Sequence, residues 1–375
     1  MSFPDPAKRE KPPRLREAQF EDHRQILALA SKFGLHVEEY ERWKYLWAGN
    51  PAYIDLNGKL PKGWILESPQ GEIAGYLGNI PINYEIEGKR LIAATTRAWV
   101  VDTPYRSYSP LLLATYFAQR NIDLFLSTTI NEYSAPAYNS FQTLRVPVGT
   151  WDRAYFWITN YRGFAESFLR RKQMGSGLGY ALGKGIFLLD RIQGRQLPGS
   201  ATSIEPESEF DDRFEEFWQV LRKSKSHTLL ATRSRQVLSW HFNFSLQDNR
   251  AWIYCAYANG RLEAYSIFQR YDFEEIGLTR MRLVDFQCLE TAREAYFLVA
   301  MLSDAAERCR RESIQMLEVV GLRPVLDSAV LAAAPHRRSL TSWLYCYKAS
   351  DAALARQLKD PSVWEPSLFD GDSSL

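Results

Sequence analysis

Cysteine is scarce in this chain: four in 375 residues, Cys255, Cys288, Cys309 and Cys346, with no C-x-x-C pair among them. That excludes a disulfide framework and a cysteine-rich zinc site, and it fits reduced thiols in a cytoplasmic protein. The five histidines (His23, His36, His227, His241, His336) show neither H-x-x-x-H nor H-x-H spacing, so no metal is expected. No G-x-S-x-G is present, which removes the hydrolase nucleophile elbow. No apolar run reaches the ~20 residues that a membrane-spanning helix needs. Neither sign of charge dominates: 46 Lys and Arg against 44 Asp and Glu give a net charge of +2, so the totals point to no stable nucleic-acid partner. The opening MSFPDPAKREKPPR is polar and Pro-rich, unlike a signal peptide, and residues 1–13 are expected to be a disordered tail.

What is present is an aromatic-rich globular composition, 14% Phe, Trp and Tyr within 46% hydrophobic residues, long enough for two domains. The stretch LREAQFEDHRQILALASKFG reads as a short strand and a helix, with Ile26, Leu27, Ala30 and Phe33 on one face, Asp22 as cap and Gly34 as stop. GWILESPQGEIAGYLGNIPINYEI reads as a hairpin, RLIAATTRAWVV as a strand, Pro110 to Arg120 as a helix and DLFLSTTI as a buried strand. A short helix over Ala135 to Phe141 and a strand near Arg145 to Val148 follow. Strands alternating with helices place the chain in the α/β class.

A similar order returns after about residue 205. Phe214, Phe217, Trp218 and Leu221 mark a helical face, AWIYCAYANGRLEAYSIFQRY a hairpin with an Asn-Gly turn, Arg293 to Arg311 a long helix and IQMLEVVGL a strand. Trp43-Lys44-Tyr45 parallels Trp240-His241-Phe242, and Trp64 to Tyr76 parallels Trp252 to Tyr265. A repeat of about 190 residues suggests two copies of one unit. Between them KQMGSGLGYALGKGIFLLD carries five glycines, but its G-x-G-x-G spacing fits no nucleotide loop, and Lys184 is followed by Gly185. The expected division is 14–160, a Gly-rich linker 161–205, 206–348, and a C-terminal tail 349–375.

The first half resembles the GNAT superfamily of acyl-CoA-dependent N-acyltransferases. The resemblance runs through Arg16-x-Ala18-x-x-x-Asp22, the GEIAGY hairpin, VVDTPYR and the pair Asn131 and Tyr138. It implies two tandem GNAT-like domains, each a mixed, mostly antiparallel sheet flanked by helices. It also implies that acetyl-CoA or another acyl-CoA lies against the backbone of Val100 and Val101 and against Arg106, Ser107, Ser109 and Asn131. The family's pyrophosphate turn, R/Q-x-x-G-x-G/A, presents free N–H groups at a helix N-terminus. Here Arg106 keeps the first position, but Ser109 and Leu111 stand where the small residues belong. The second half has no such turn; Arg233-x-x-x-x-Leu238-x-Trp240 resembles a GNAT-like half of double-domain transferases, including the Fem type.

Transfer to an amine needs a base, donors for the oxyanion and an acid for the departing thiolate. The resemblance puts Tyr138 in the place of the acid and backbone N–H groups near Trp99 to Val101 at the oxyanion; Glu132 and Asp102 are candidate bases near strand ends. The acceptor would be an amine, on a small molecule or a cell-wall or polysaccharide precursor. Two further readings stay open: a non-catalytic scaffold of the same fold, and a Fem-type transferase using aminoacyl-tRNA.

Overall fold

The computed structural model describes residues 11–174, 178–193, 197, 204–340 and 343–375. The first part of the chain forms β1 (Arg14–Glu17), α1 (His23–Lys32), α2 (Tyr40–Ala48), α3 (Pro51–Asp55), β2 (Gly63–Glu67), β3 (Ile73–Ile86), β4 (Lys89–Val101), α4 (Ser109–Phe117), β5 (Leu124–Ile130), α5 (Ala135–Ser140) and β6 (Leu144–Arg145). There follow β7 (Arg153–Ile158), α6 (Tyr161–Arg171), α7 (Gly179–Gln193), β8 (Ile204–Glu207), α8 (Asp212–Ser224), β9 (Leu230–Ala231), α9 (Arg235–Gln247), β10 (Ala251–Ala258) and β11 (Arg261–Arg270). The chain continues with β12 (Arg280–Cys288), α10 (Glu294–Arg311), β13 (Met316–Val320), α11 (Pro324–Ala333), β14 (His336–Ser339), β15 (Leu344–Ala349) and α12 (Ala352–Gln357).

Local chemistry sets most of these elements. Asn259 and Gly260 both take positive φ in the β10–β11 turn, as do Glu87 and Gly88 between β3 and β4, the geometry that matches the twist of a tight hairpin. Helix α8 buries Phe214, Phe217, Trp218 and Leu221, and Asp211 caps it by accepting from the Arg213 N–H at 3.0 Å. Trp43 on α2 and Trp240 on α9 are both buried, and the Trp240 indole donates to the Tyr45 carbonyl at 3.1 Å across the two halves. Asp22 differs from its expected role: a 3-10 turn, Phe20–Asp22, precedes α1, and the Asp22 carboxylate instead takes two 2.8 Å bonds from Arg16.

The strands form two mixed, mostly antiparallel sheets flanked by helices. The first runs β1-β2-β3-β4-β5-β15-β6, and the second, read from its far edge, β8-β10-β11-β12-β13-β7-β14. The same order holds in both, and each has one parallel pair in the same place. β4 and β5 pair from Ala93↔Leu124 to Thr95↔Leu126; β12 and β13 pair from Arg280↔Met316 to Arg282↔Glu318. In each sheet the sixth strand comes from the other part of the chain: β15 pairs with β5, and β7 with β13.

Three expectations about organisation need correction. The boundaries at 160 and 206 do not separate the sheets, because β7 leaves the first segment and β15 leaves the second. The segment 161–205 is not only a linker, since it contains the two helices α6 and α7; residues 175–177, 194–196 and 198–203 lie outside the described residues, as do residues 1–10 of the expected N-terminal tail. Residues 349–375 are no loose tail: Leu354, Leu358, Trp364, Leu368 and Phe369 are buried, because this segment runs between the two sheets.

One buried cation fixes that segment. Arg233, 2% exposed, donates to Asp285 at 2.8 and 3.0 Å, to Asp370 at 3.1 Å, to the Ser367 hydroxyl at 3.1 Å and to the Ala231 carbonyl at 2.9 Å. Burial pushes the Asp285 carboxyl up, but Arg233 and its hydrogen bonds outweigh that and hold it below the usual range. For Asp370 burial wins, and its pKa rises to about 6 despite Arg233.

Truncating the guanidinium in Arg233→Met should cost about 3–5 kcal/mol, because it strands buried carboxylates without a counter-charge. Urea midpoints at an unchanged m-value test this. Asp370 adds a pH signature. Its folded pKa is raised, so the stability it contributes is fully present below about pH 3.8 and is lost as pH rises through about 6. Asp370→Asn should flatten that part of the stability–pH curve.

Candidate active site

The site begins where a ladder ends. β4 and β5 are paired only as far as Thr95 and Leu126, while β4 continues to Val101 and β5 to Ile130. Past that point the strands diverge, and among the described residues the β4 edge facing β5 has no strand partner. Ala98, at φ 52°, and a register shift against Tyr76–Gly78 mark a bulge that bends β4 away. The gap opens into a cleft of about 790 Å³ between the two halves, with Thr96 to Trp99 on one wall and Ser127 and Thr129 to Asn131 on another. The far side is formed by Arg250, Arg270, Tyr271, Asp272 and Trp343 of the second half and by Asp372 and Ser373 of the C-terminal segment.

Tyr138, on α5, lies in this cleft. Its hydroxyl bonds Thr96 Oγ1 at 2.9 Å, and Thr96 bonds Ser127 Oγ at 2.9 Å, so three hydroxyls bridge the mouth of the gap. Burial raises the Tyr138 pKa to about 12 against the opposing effect of these hydroxyls, so the phenol keeps its proton at neutral pH.

Asp372 is the carboxylate facing it from the C-terminal segment, and it was not among the expected site residues. It accepts from Thr128 Oγ1 at 2.7 Å and from Thr129 Oγ1 at 3.2 Å. Arg97, ion-paired to Glu38, donates to the Asp372 backbone carbonyl at 3.2 Å. Burial raises the Asp372 pKa above the ordinary carboxylate value, opposed first by Thr128 and then by Arg97. Gly371 brings the chain this close, since a Cβ there would stand 2.5 Å from Thr128 Cγ2. The clue available in the sequence was Trp364, Leu368 and Phe369, an apolar cluster in what otherwise reads as a polar tail.

Of the expected site residues, Asn131 and Tyr138 line the cleft, whereas Val100, Val101, Arg106, Ser107, Ser109 and Glu132 are not among its lining residues. Asn131 Oδ1 accepts from the N–H groups of Tyr133 and Ser134 at 3.1 and 2.9 Å, so its carboxamide oxygen organises the start of α5. Glu132 is exposed to solvent. Asp102 caps the following turn through the Thr103 N–H at 2.7 Å and pairs with Lys32 at 2.7 Å, and these contacts hold its carboxyl low. It is a cap rather than a base.

The expected pyrophosphate turn is closed on itself. Thr103 to Tyr108 wind into a 3-10 helix that runs directly into α4. The Thr103 N–H meets the Asp102 carboxylate, the Tyr105 N–H the Asp102 carbonyl, and the Ser109 N–H the Arg106 carbonyl; Pro104 and Pro110 have none to offer. Arg106 and Leu111 are both exposed beside this turn, so a phosphate would meet a guanidinium and hydroxyls rather than a cradle of free amides.

The second half closes the corresponding gap. Where β12 and β13 diverge, Glu365 to Leu368 lie between Leu283–Gln287 and Val320, leaving only about 30 Å³. At the first residue of α10, the buried Glu294 carboxylate pairs with Lys225 at 3.2 Å and with Arg323, and Glu365 pairs with the same two cations. A protein carboxylate thus sits at the helix N-terminus that would attract an anion. Among the described residues no group of three or more His, Cys, Asp or Glu is arranged to hold a metal, and no helix is long and apolar enough to cross a membrane.

These features define the GNAT fold: a parallel strand pair that splays within a mixed sheet, followed by a helix. Solved structures share it along most of the chain. A conserved protein of unknown function from Enterococcus faecalis V583, described as a probable N-acyltransferase, is 14% identical with a TM-score of 0.56, covering 90% of this chain and 73% of its own. A GCN5-related N-acetyltransferase from Anabaena variabilis ATCC 29413 is 12% identical with a TM-score of 0.52 over the same shares. The Saccharomyces cerevisiae N-myristoyltransferase with bound myristoyl-CoA is 11% identical with a TM-score of 0.59, covering 90% of this chain and 78% of its own. At these identities the likeness establishes the fold alone. No protein-family model matches the chain, and no curated protein matches it in sequence.

The tight passage at Gly371 gives a direct test of Asp372. Gly371→Ala should push Asp372 away from Thr128 and Thr129 and out of its buried position, so that the burial that raises this carboxyl is lost and its titration falls toward the ordinary carboxylate range, while Tyr138 stays bonded to Thr96. Carboxyl NMR titration of the variant against the parent checks it; an unshifted titration would count against the contact.

Proposed function

We propose that the protein is an N-acyltransferase that moves an acyl group from a coenzyme A thioester to an amine. The reading rests chiefly on one observation: the crevice between the diverging strands is open in the first half, with a phenol and a carboxylate on its walls, and plugged in the second. The matching strand orders suit duplication of one unit followed by exchange of the sixth strand.

Each step falls to a residue in reach of the gap. Asp372 takes the proton as the amine nitrogen attacks the thioester carbon, forming the C–N bond. Backbone N–H groups of β4 near Trp99 to Val101, beyond the last pair that β4 makes with β5, hold the oxygen that becomes negative. Tyr138 gives its proton to the sulfur as the C–S bond breaks, and its pKa of about 12 keeps that proton available. Arg106, Ser107 and Ser109 meet the donor's phosphates, with Val100 and Val101 offering backbone along the donor's amide arm and Asn131 fixing the α5 end of the gap. The acceptor enters from the side lined by Arg250, Asp272 and Trp343. Glu132, which is exposed, has no part in this scheme.

One observation favours a second reading. The Thr103, Tyr105 and Ser109 amides of the phosphate turn are bonded within it, as a fold serving an aminoacyl-tRNA-dependent transferase or a scaffold would allow. Coenzyme A separates the readings. At ~100 times its dissociation constant it should stabilise the protein by about 2.7 kcal/mol, read as a rise in melting temperature. Arg106→Ala should weaken binding by about 1.5–3 kcal/mol. Asp372→Asn should keep binding, lower kcat by roughly 10²–10⁴-fold and remove the acidic limb of the kcat/KM profile, which rises as Asp372 ionises. No response to coenzyme A in the parent or in Leu111→Gly would leave the second reading standing.

A further inference from the structure

The hairpin of α6 and α7 carries its apolar side outward. In α8 the large apolar residues face the core; in α7 the buried positions are Gly179, Gly183 and Asp190, with Leu182 and Ile186 half-buried beside them. Gly183 is required there, since a Cβ would stand 2.9 Å from the Tyr161 carbonyl oxygen, and so α7 lies close against α6. Asp190 is anchored by the Tyr161 hydroxyl at 2.9 Å and by His336 Nε2 at 3.0 Å. Those contacts fix which face of α7 is outside. On it stand Leu188, Leu189 and Ile192, from 58% to 81% exposed, with Phe187, 40% exposed, at its edge where its ring meets Tyr161 at 5.3 Å. Residues 168–192 hold eight of the eighteen exposed large apolar side chains among the described residues, which makes this a patch and not scattered surface.

Cations frame the patch. Arg170, Arg171 and Lys172 end α6, and Lys184 and Arg191 lie on α7, all exposed. Lys184 stacks on Tyr180 at 4.5 Å and Arg191 on Phe187 at 5.6 Å, so the charged heads sit beside the apolar stems and rings. The acidic residues of the hairpin do not offset this: Glu166 pairs with Arg162 and Asp190 is buried.

We propose that this face docks the protein peripherally on an anionic membrane surface, with Leu188, Leu189 and Ile192 entering the headgroup–acyl boundary and the lysine and arginines meeting lipid phosphates. An outward apolar stripe flanked by cations is the signature of a helix lying in the interface plane. A second copy of the chain fits less well, because a two-fold interface would set this cationic face against itself. The hairpin also touches the loop that leads to the cleft. Ser167 on α6 lies 3.0 Å from the Gly277 carbonyl and from the Gln315 amide oxygen, and Gln315 Nε2 donates to that carbonyl at 3.1 Å; Gly277 is in the same loop that brings Tyr271, Asp272 and Glu274 to the cleft, so docking would orient the cleft to the surface.

Flotation of the full chain with phosphatidylcholine vesicles, with and without roughly one-third phosphatidylglycerol, tests the proposal. The parent should float with the anionic vesicles and weakly with the neutral ones. Leu188→Asp/Leu189→Asp should lower partitioning at least about tenfold, and Lys184→Glu/Arg191→Glu should abolish the preference for anionic lipid. Val325→Asp, at an apolar residue 66% exposed on α11, should leave binding unchanged. Urea midpoints equal to the parent's confirm that each variant is folded. A parent that ignores anionic vesicles, or a leucine variant that floats as well as the parent, overturns the proposal. So does lipid-free sedimentation showing a dimer that the leucine variant dissolves, which would assign the face to a second copy.

Discussion

A single buried guanidinium holds the C-terminal segment between the two sheets. Arg233 reaches Asp285 on β12 and Asp370 near the end of the chain, and Phe369 covers it at 4.8 Å. A charge so deep is tolerable only when fully paired, so the residues around it have little freedom to move. From this anchor the chain acts in two directions. Residues just before Asp370 fill the crevice of the second half, and Asp372, two residues beyond, enters the crevice of the first. One clamp thereby closes one site and furnishes the other.

The asymmetry between the halves follows from what fills each gap rather than from different folds. Both sheets have the same strand order and both lose their parallel pairing after three residues. In the second half Glu294 places a side-chain carboxylate at the helix N-terminus, and Lys225 and Arg323 pair with it from the protein itself. In the first half the turn before α4 bonds the Thr103, Tyr105 and Ser109 amides within itself and leaves the gap open, with hydroxyls from Thr96, Ser127 and Tyr138 linked across it.

Much of the fold could be read locally. The Asn259-Gly260 turn, the apolar face of α8 and the long α10 are set by neighbours in sequence, and the paired tryptophans of α2 and α9 pointed to the repeat. The exchanged strands could not be read in this way. Nothing in RAYFWI or LYCYKA states which sheet it will join, since pairing depends on edges left free elsewhere. The site was legible to a similar extent. Tyr138 and Asn131 were placed by the resemblance to the GNAT superfamily, which the chain carries at these two positions. Asp372 was hidden because Asp, Gly and Ser dominate its segment, and only tertiary burial of Leu368 and Phe369 brings it inward. Asp102 was ambiguous as a lone carboxylate at a strand end until Lys32, seventy residues earlier, was seen to hold it.

The strand exchange has a consequence for biosynthesis. The edge of β5 must wait for β15, about 220 residues later in the chain. At ribosomal elongation rates of ~5–20 residues per second, that edge stays unpaired for roughly ten to forty seconds. An open edge of apolar residues is a template for mispairing with other nascent chains. The nascent protein therefore passes through a long window in which a chaperone holding the first sheet would matter most, and the cleft acquires its carboxylate only after the last strand has been threaded home.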